Sequence, residues 1–244
     1  MVLGRNLYLC MVSNISFSSF FINRKMFVQQ KSKFPIKSLK TTRQTTHSKL
    51  FPNVIRALVC GPSGCGKTVL MYNLIVQKEG LKFTNLYIIS NTLEQEKYRK
   101  LQEIFDKIPE VKLHTMTDVV TPQEVEIGSV VVFDDINDSN IAPFFSMGRH
   151  RKLNCFYLCQ TYTKIPKQFI RDNANFIVIF QQDDLNLKHI YNNHVGNDFT
   201  FQEFKNLCNE CWREKYGFLV IDKERGKNEG KYRCKIDKFY TDNL

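Results

Sequence analysis

Short apolar runs alternate along the chain with longer stretches in which apolar residues recur at helical spacing. The runs at 54–60, 86–90, 129–133, 155–159 and 176–180 are apolar almost throughout, and 111–116 is a more mixed sixth strand candidate. Runs of this kind suit strands buried on both faces, as in a parallel sheet covered by helices. Between them, 69–77 continues a helix that opens after a glycine-rich turn, and 93–107 is a charged helical stretch. The helical pattern returns at 184–194 and 201–212. The chain closes with 216–222 and 232–239 on either side of a charged, glycine-containing turn at 225–230, which predicts a hairpin. No internal repeat is visible. The alternation predicts an α/β fold: a mostly parallel sheet with helices on both faces and a small C-terminal hairpin.

This pattern begins near Phe51, and charge divides the chain at the same place. Of the 244 residues, the first 50 hold nine Lys/Arg and no Asp or Glu. The rest hold 26 Lys/Arg against 24 Asp/Glu, so nearly all of the net +11 belongs to the N-terminal segment. The expected organisation is therefore a basic, unstructured segment over 1–50 and one domain over 51–244. A basic arm on a near-neutral body is a common plan for proteins that meet nucleic acid. Composition is otherwise globular, 43% hydrophobic and 24% charged, which excludes wholesale disorder. Eight cysteines are too few for a disulfide scaffold, and several sit in apolar runs, which implies a reducing, intracellular setting. The longest apolar stretch, 7–22, is broken by serines and is too short and polar to span a bilayer, so no membrane partner is expected.

The first chemistry lies between the run at 54–60 and the helix that follows. Gly61-Pro62-Ser63-Gly64-Cys65-Gly66-Lys67-Thr68 satisfies G-x-x-x-x-G-K-[ST] in full. Glycines there let the backbone turn its N–H groups toward a polyphosphate, and the helix N-terminus adds its positive end. Lys67 is expected to reach the β- and γ-phosphates of ATP, and Thr68 to ligate Mg²⁺. Cys65 could be an oxidation-sensitive thiol or simply a small residue.

A phosphate loop of this type needs a carboxylate from a second strand. Val130-Val-Val-Phe-Asp134-Asp135 supplies it, 67 residues after Lys67. Asp134 is expected beside Thr68 as the Mg²⁺ residue. Asp135 occupies the place where additional-strand ATPases usually put the water-activating glutamate. An Asp-Asp pair at a strand end could also be a plain capping turn. The next apolar strand ends in Gln160, at the carboxyl edge where open α/β sheets bind ligands. There it could bond the attacking water or the γ-phosphate.

The segment from Phe145 through Gly148-Arg149-His150 to Gln160, continued by Ile170-Arg171-Asp172-Asn173-Ala174-Asn175, resembles the FtsK/HerA-type DNA-packaging ATPases. It is most similar to those of Polinton/Maverick elements and poxviruses, over roughly 54–239. The resemblance implies a RecA-like, additional-strand P-loop fold and an oligomeric ring, commonly a hexamer. It also implies ATP hydrolysis that drives double-stranded DNA into a capsid, in the nucleus or at a viral assembly site. Lys67, Thr68, Asp134, Asp135 and Gln160 then take the Walker A, Walker B and sensor roles. The family also uses an arginine from a neighbouring subunit to stabilise charge on the γ-phosphate, and Arg149 and Arg171 are the candidates by position.

Other readings are weaker. A small-molecule kinase would show an arginine-rich lid, a GTPase an N-K-x-D motif, and an ABC-type ATPase an L-S-G-G-Q-like signature. A domesticated, non-hydrolysing nucleotide or DNA binder would show decay at Lys67, Thr68 or Asp134, and all three are intact. His189 and His194 with Cys208 and Cys211 have the spacing of a two-His, two-Cys zinc site, but a single C-x-x-C is a weak signal. The histidine spacing does not put both on one helical face, so buried helix cysteines are the favoured reading.

Overall fold

The computed structural model describes residues 27–29 and 47–242. Ten strands form one sheet: β1 (Phe27–Gln29), β2 (Arg56–Cys60), β3 (Asn85–Ser90), β4 (Lys112–Met116), β5 (Val130–Asp134), β6 (Asn154–Cys159), β7 (Phe176–Ile179), β8 (Leu219–Asp222), β9 (Tyr232–Cys234) and β10 (Lys238–Tyr240). The five α-helices are α1 (Lys67–Val76), α2 (Glu96–Phe105), α3 (Ala142–Ser146), α4 (Asp184–Ile190) and α5 (Phe201–Trp212). Strand order is β1-β10-β9-β8-β7-β2-β6-β5-β3-β4. The six strands from β7 to β4 are mutually parallel, and β8, β9, β10 and β1 extend the sheet antiparallel.

The apolar runs are apolar because both faces are covered. All five residues of β5 and all six of β6 are buried. Alternation along β2 sends Ala57 and Val59 to the layer containing Leu70, Met71 and Leu74 of α1 and Tyr98, Leu101 and Phe105 of α2. Leu58 and Cys60 go to the opposite layer, with Phe144 and Phe145 of α3, Leu187 of α4, and Phe204 and Leu207 of α5. Helix starts follow local chemistry: Asp183 accepts from Asn186 N–H at 2.7 Å at the head of α4. Thr200 and Glu203 form a reciprocal capping box on α5.

Two elements differ from the pattern reading. The last predicted arm, 232–239, is two strands, because Lys235 adopts a left-handed backbone (φ 60°) and turns the chain so that Lys238 pairs Cys234. The predicted hairpin is therefore a meander of β8, β9 and β10. The helix expected over 184–194 is α-helical to Ile190 and widens into a π-helix over Tyr191–Val195, ending at Gly196 (φ 66°).

Of the N-terminal segment, Phe27–Gln29 pairs with β10, and His47 is buried with its Nδ1 accepting from Lys82 N–H at 3.0 Å. The body thus takes in 47–50, just before the boundary read from composition. The expectation of an unstructured leader otherwise lies outside the described residues. Among the described residues, no helix is long and apolar enough to cross a membrane.

Candidate nucleotide-binding site

The site lies at the carboxyl ends of β2, β6 and β5. Strand order places β6 between the strand feeding the phosphate loop and the strand bearing the carboxylates, which is the additional-strand arrangement. The loop leaves β2 at Gly61, whose N–H donates to Cys159 O on β6 at 3.1 Å. A Cβ on Gly61 would lie 2.6 Å from both Cys65 Sγ and Phe180 Cβ, so only glycine fits. Gly66, at φ 110°, has a backbone conformation that L side chains rarely adopt, and α1 starts at the next residue. The first turn of α1 leaves N–H groups without intrahelical partners, the feature that lets a helix N-terminus hold an anion.

Lys67 is buried. Its ammonium donates to Gly61 O at 2.7 Å and Pro62 O at 3.0 Å, closing the loop on itself. Cys65 is half-buried, and burial raises its thiol above the ordinary range, so it is not an activated thiolate. Beneath the loop, the thiols of Cys60 and Cys159 lie 3.0 Å apart on paired strands, both buried.

Thr68 Oγ1 donates to Asp134 Oδ2 at 3.1 Å, joining the two expected Mg²⁺ residues across the site. The same carboxylate oxygen accepts from the phenol of Tyr98 on α2. Burial raises the Asp134 carboxyl above the usual carboxylate range, Tyr98 and Thr68 oppose that, and the neighbouring Asp135 charge adds to it. A hydroxyl and a carboxylate fit Mg²⁺, which takes few protein oxygens and keeps water and substrate phosphates for its remaining positions.

Asp135 is exposed and left-handed (φ 54°), a conformation aspartate tolerates better than most residues. Gln160 Nε2 donates to Asp135 Oδ1 at 3.2 Å, so the sensor candidate and the base candidate meet across the end of β6. Asn91, just beyond β3, donates to Asp135 O at 3.4 Å.

The arginines divide. The Arg149 side chain is exposed on the 148–151 turn and has no hydrogen bond or ion pair among the described residues. Arg171 is half-buried, with its guanidinium 5.0 Å from the centroid of the Tyr162 ring, two residues beyond Gln160. Neither forms an ion pair with Asp172. The zinc quartet is not assembled. His189 is exposed, His194 is buried with Nε2 2.7 Å from Tyr162 Oη, and Cys208 and Cys211 are in the core. Among the described residues, no group of three His, Cys, Asp or Glu could hold a metal ion.

Tyr98 is the functional side chain that sequence reasoning missed. It shares an apolar helical face with Leu101 and Phe105, and nothing in that spacing distinguishes its hydroxyl.

The chain is similar in fold to the genome packaging NTPase B204 from Sulfolobus turreted icosahedral virus 2. In complex with AMP, that protein aligns at 13% identity and TM-score 0.53, over 80% of this chain and 100% of B204. With sulfate bound, B204 aligns at 14% identity and TM-score 0.51, over 75% and 96%. With AMPPCP the values are 16% and 0.50, over 71% and 95%. No curated protein sequence matches the chain. The sequence profile of the Poxvirus A32 protein family matches residues 42–237, which span the phosphate loop, both aspartates, Gln160 and both arginines. With its P-loop NTPase fold and this match over most of its length, the chain belongs to the Poxvirus A32 protein family.

Proposed function

We propose that this chain is an ATP hydrolase whose turnover drives double-stranded DNA into a capsid. The observation that carries this is the hydrogen bond from Thr68 to Asp134, with Gln160 on Asp135 beside it. It joins loop, carboxylates and sensor in one place. The family relation and the fold of a protein named as a genome packaging NTPase support the packaging role.

The loop N–H groups and α1 hold the triphosphate. Lys67 exchanges two loop carbonyls for β- and γ-phosphate oxygens, so its ammonium is already positioned and desolvated before substrate arrives. Thr68 and Asp134 would hold Mg²⁺, which would supply charge neutralisation for the triphosphate. Asp135 takes the proton of the attacking water, and Gln160 holds the Asp135 carboxylate in place by donating to Oδ1. Arg149, exposed and unengaged, is the arginine free to reach a neighbouring subunit's γ-phosphate in a homo-oligomeric ring. Arg171 is already committed to Tyr162. DNA is gripped through its phosphates by the ring and the basic N-terminal segment, which makes binding salt-dependent.

Steady-state ATP hydrolysis with and without linear double-stranded DNA tests this. DNA should stimulate turnover, and Lys67→Ala should lower it about 100-fold or more. Excess Arg149→Ala mixed into active protein should depress activity out of proportion to its share. ATP binding without hydrolysis at any DNA or protein concentration would refute the motor and leave a nucleotide-binding protein.

A further inference from the structure

One aromatic side chain beside the phosphate loop has no part in this chemistry. Tyr216 is 55% exposed, among the largest apolar exposures in the described residues, and its backbone is left-handed at φ 63°. A bulky residue in that conformation is uncommon, and glycine or asparagine would occupy it with less strain. The turn itself is fixed: Gly217 N–H donates to Glu214 O at 2.9 Å, and a Cβ on Gly217 would lie 2.0 Å from Cys211 O. Tyr216 is therefore held at one place on the surface. That place is against the phosphate loop, since a Cβ on Gly66 would lie 3.3 Å from Tyr216 Cδ1.

Topology says which end of a nucleotide would meet it. Asp134, Asp135 and Gln160 mark the γ-phosphate end, on the β6 and β5 side of β2. Tyr216 leads into β8 and stands on the opposite, β7 and β8 side. A triphosphate laid along the loop with its γ end at the carboxylates must send its nucleoside out past Gly66 toward β8. Besides Gly66, the Lys215 ammonium lies 5.0 Å from the ring centroid, a weak and readily displaced contact at an exposed site.

We infer that Tyr216 is the stacking platform for the base of a purine nucleoside triphosphate bound at the phosphate loop. This rests on the nucleotide reading above. Contact is through the ring face, so affinity comes from stacking, which tolerates either purine. The left-handed backbone is then the cost of presenting an aromatic face where the chain would otherwise place a glycine.

Calorimetric binding of ATP and of inorganic tripolyphosphate to the full chain separates base from phosphate. The variants are Tyr216→Asn, which suits the left-handed backbone and has no aromatic face, and Tyr216→Phe, which keeps the ring. The expected result is that Tyr216→Asn weakens ATP about tenfold or more. Tripolyphosphate binding should stay unchanged, and Tyr216→Phe should hold ATP like the parent. Parallel weakening of both ligands by Tyr216→Asn would overturn the inference, because the ring would then serve only to back the loop. ATP binding unaffected by Tyr216→Asn would overturn it equally. Failure of the parent protein to bind either ligand would overturn the nucleotide reading itself, and this inference with it.

Discussion

The two halves of the sheet handle buried charge in opposite ways. At the carboxyl ends of the parallel strands, Lys67 and Asp134 are buried, and on the proposed function each has partners that substrate or Mg²⁺ would replace. These are two loop carbonyls for the ammonium and the Thr68 hydroxyl for the carboxylate, which keeps its second bond from Tyr98. In the antiparallel half, Asp222 on β8 and Arg233 on β9 are almost wholly buried and internally complete. All three guanidinium nitrogens of Arg233 donate, to Gly230 O, Leu50 O and Asp222 Oδ2. Asp222 also accepts from Arg225 Nε at 2.9 Å and Glu224 N–H at 3.1 Å. Burial opposes both charges, lifting the Asp222 carboxyl and lowering Arg233 to about 10. The ion pair offsets that penalty only while both partners are present. On the proposed function, a buried charge therefore serves the reaction where at least one of its partners is exchangeable and the fold where all of them are fixed.

Removing a fixed partner should have the largest effect. Arg233→Met strips Asp222 of its most buried partner and should cost about 3–5 kcal/mol in urea unfolding. Asp222→Asn added to it should recover much of that loss. Turnover per folded molecule should not change, and a drop in it would erase the distinction between the halves.

His194 tests a third situation, a buried group kept neutral. Burial, reinforced by the charges of Lys223, Arg171 and Lys231, lowers its imidazole from 6.5 to about 3. The unfolded chain takes up a proton below about 6.5 that the folded chain refuses until about 3. Stability is therefore full above 6.5 and falls as pH drops through that window. The loss reaches about 2 kcal/mol by pH 5. Denaturant midpoints from pH 8 to 5 should show that slope, and His194→Gln should flatten it.

The smallest effect concerns an exchangeable site. Tyr98→Phe keeps the ring that packs with Leu101 and Phe105 but removes one donor from Asp134. The Mg²⁺ concentration for half-maximal turnover should rise about tenfold, the scale of one hydrogen bond to a charged group. ATP binding measured in EDTA should stay constant, and a loss there would show that Tyr98 supports the loop rather than the carboxylate.

Much of the fold was legible because parallel strands buried on two faces must be apolar throughout, and β2, β3, β5, β6 and β7 fall where the runs are. The phosphate loop was legible because its glycines answer local needs, the clash at Gly61 and the positive φ at Gly66. The break between β9 and β10 was not, since a lysine takes the left-handed position that usually advertises itself as glycine or asparagine. Tyr98 was hidden because its role depends on a partner 36 residues away in sequence, Asp134 at the end of β5. The zinc spacing was rightly discounted, since the two cysteines are buried in the core and regular intervals along a chain do not guarantee a common place in space.

The position of β2 has a further consequence, for how the protein is made. Its two neighbours in the sheet are β6 and β7, and Cys60 pairs Cys159 on one side and Ile179 on the other. During synthesis the phosphate-loop strand therefore emerges about a hundred residues before either partner exists. Until then its apolar side chains are uncovered and its backbone N–H and C=O groups unpaired, both prone to association, so nascent chains halted before β7 should depend on chaperones. Nucleotide can stabilise the protein only after that point, which makes it a ligand of the finished domain and not a template for its assembly.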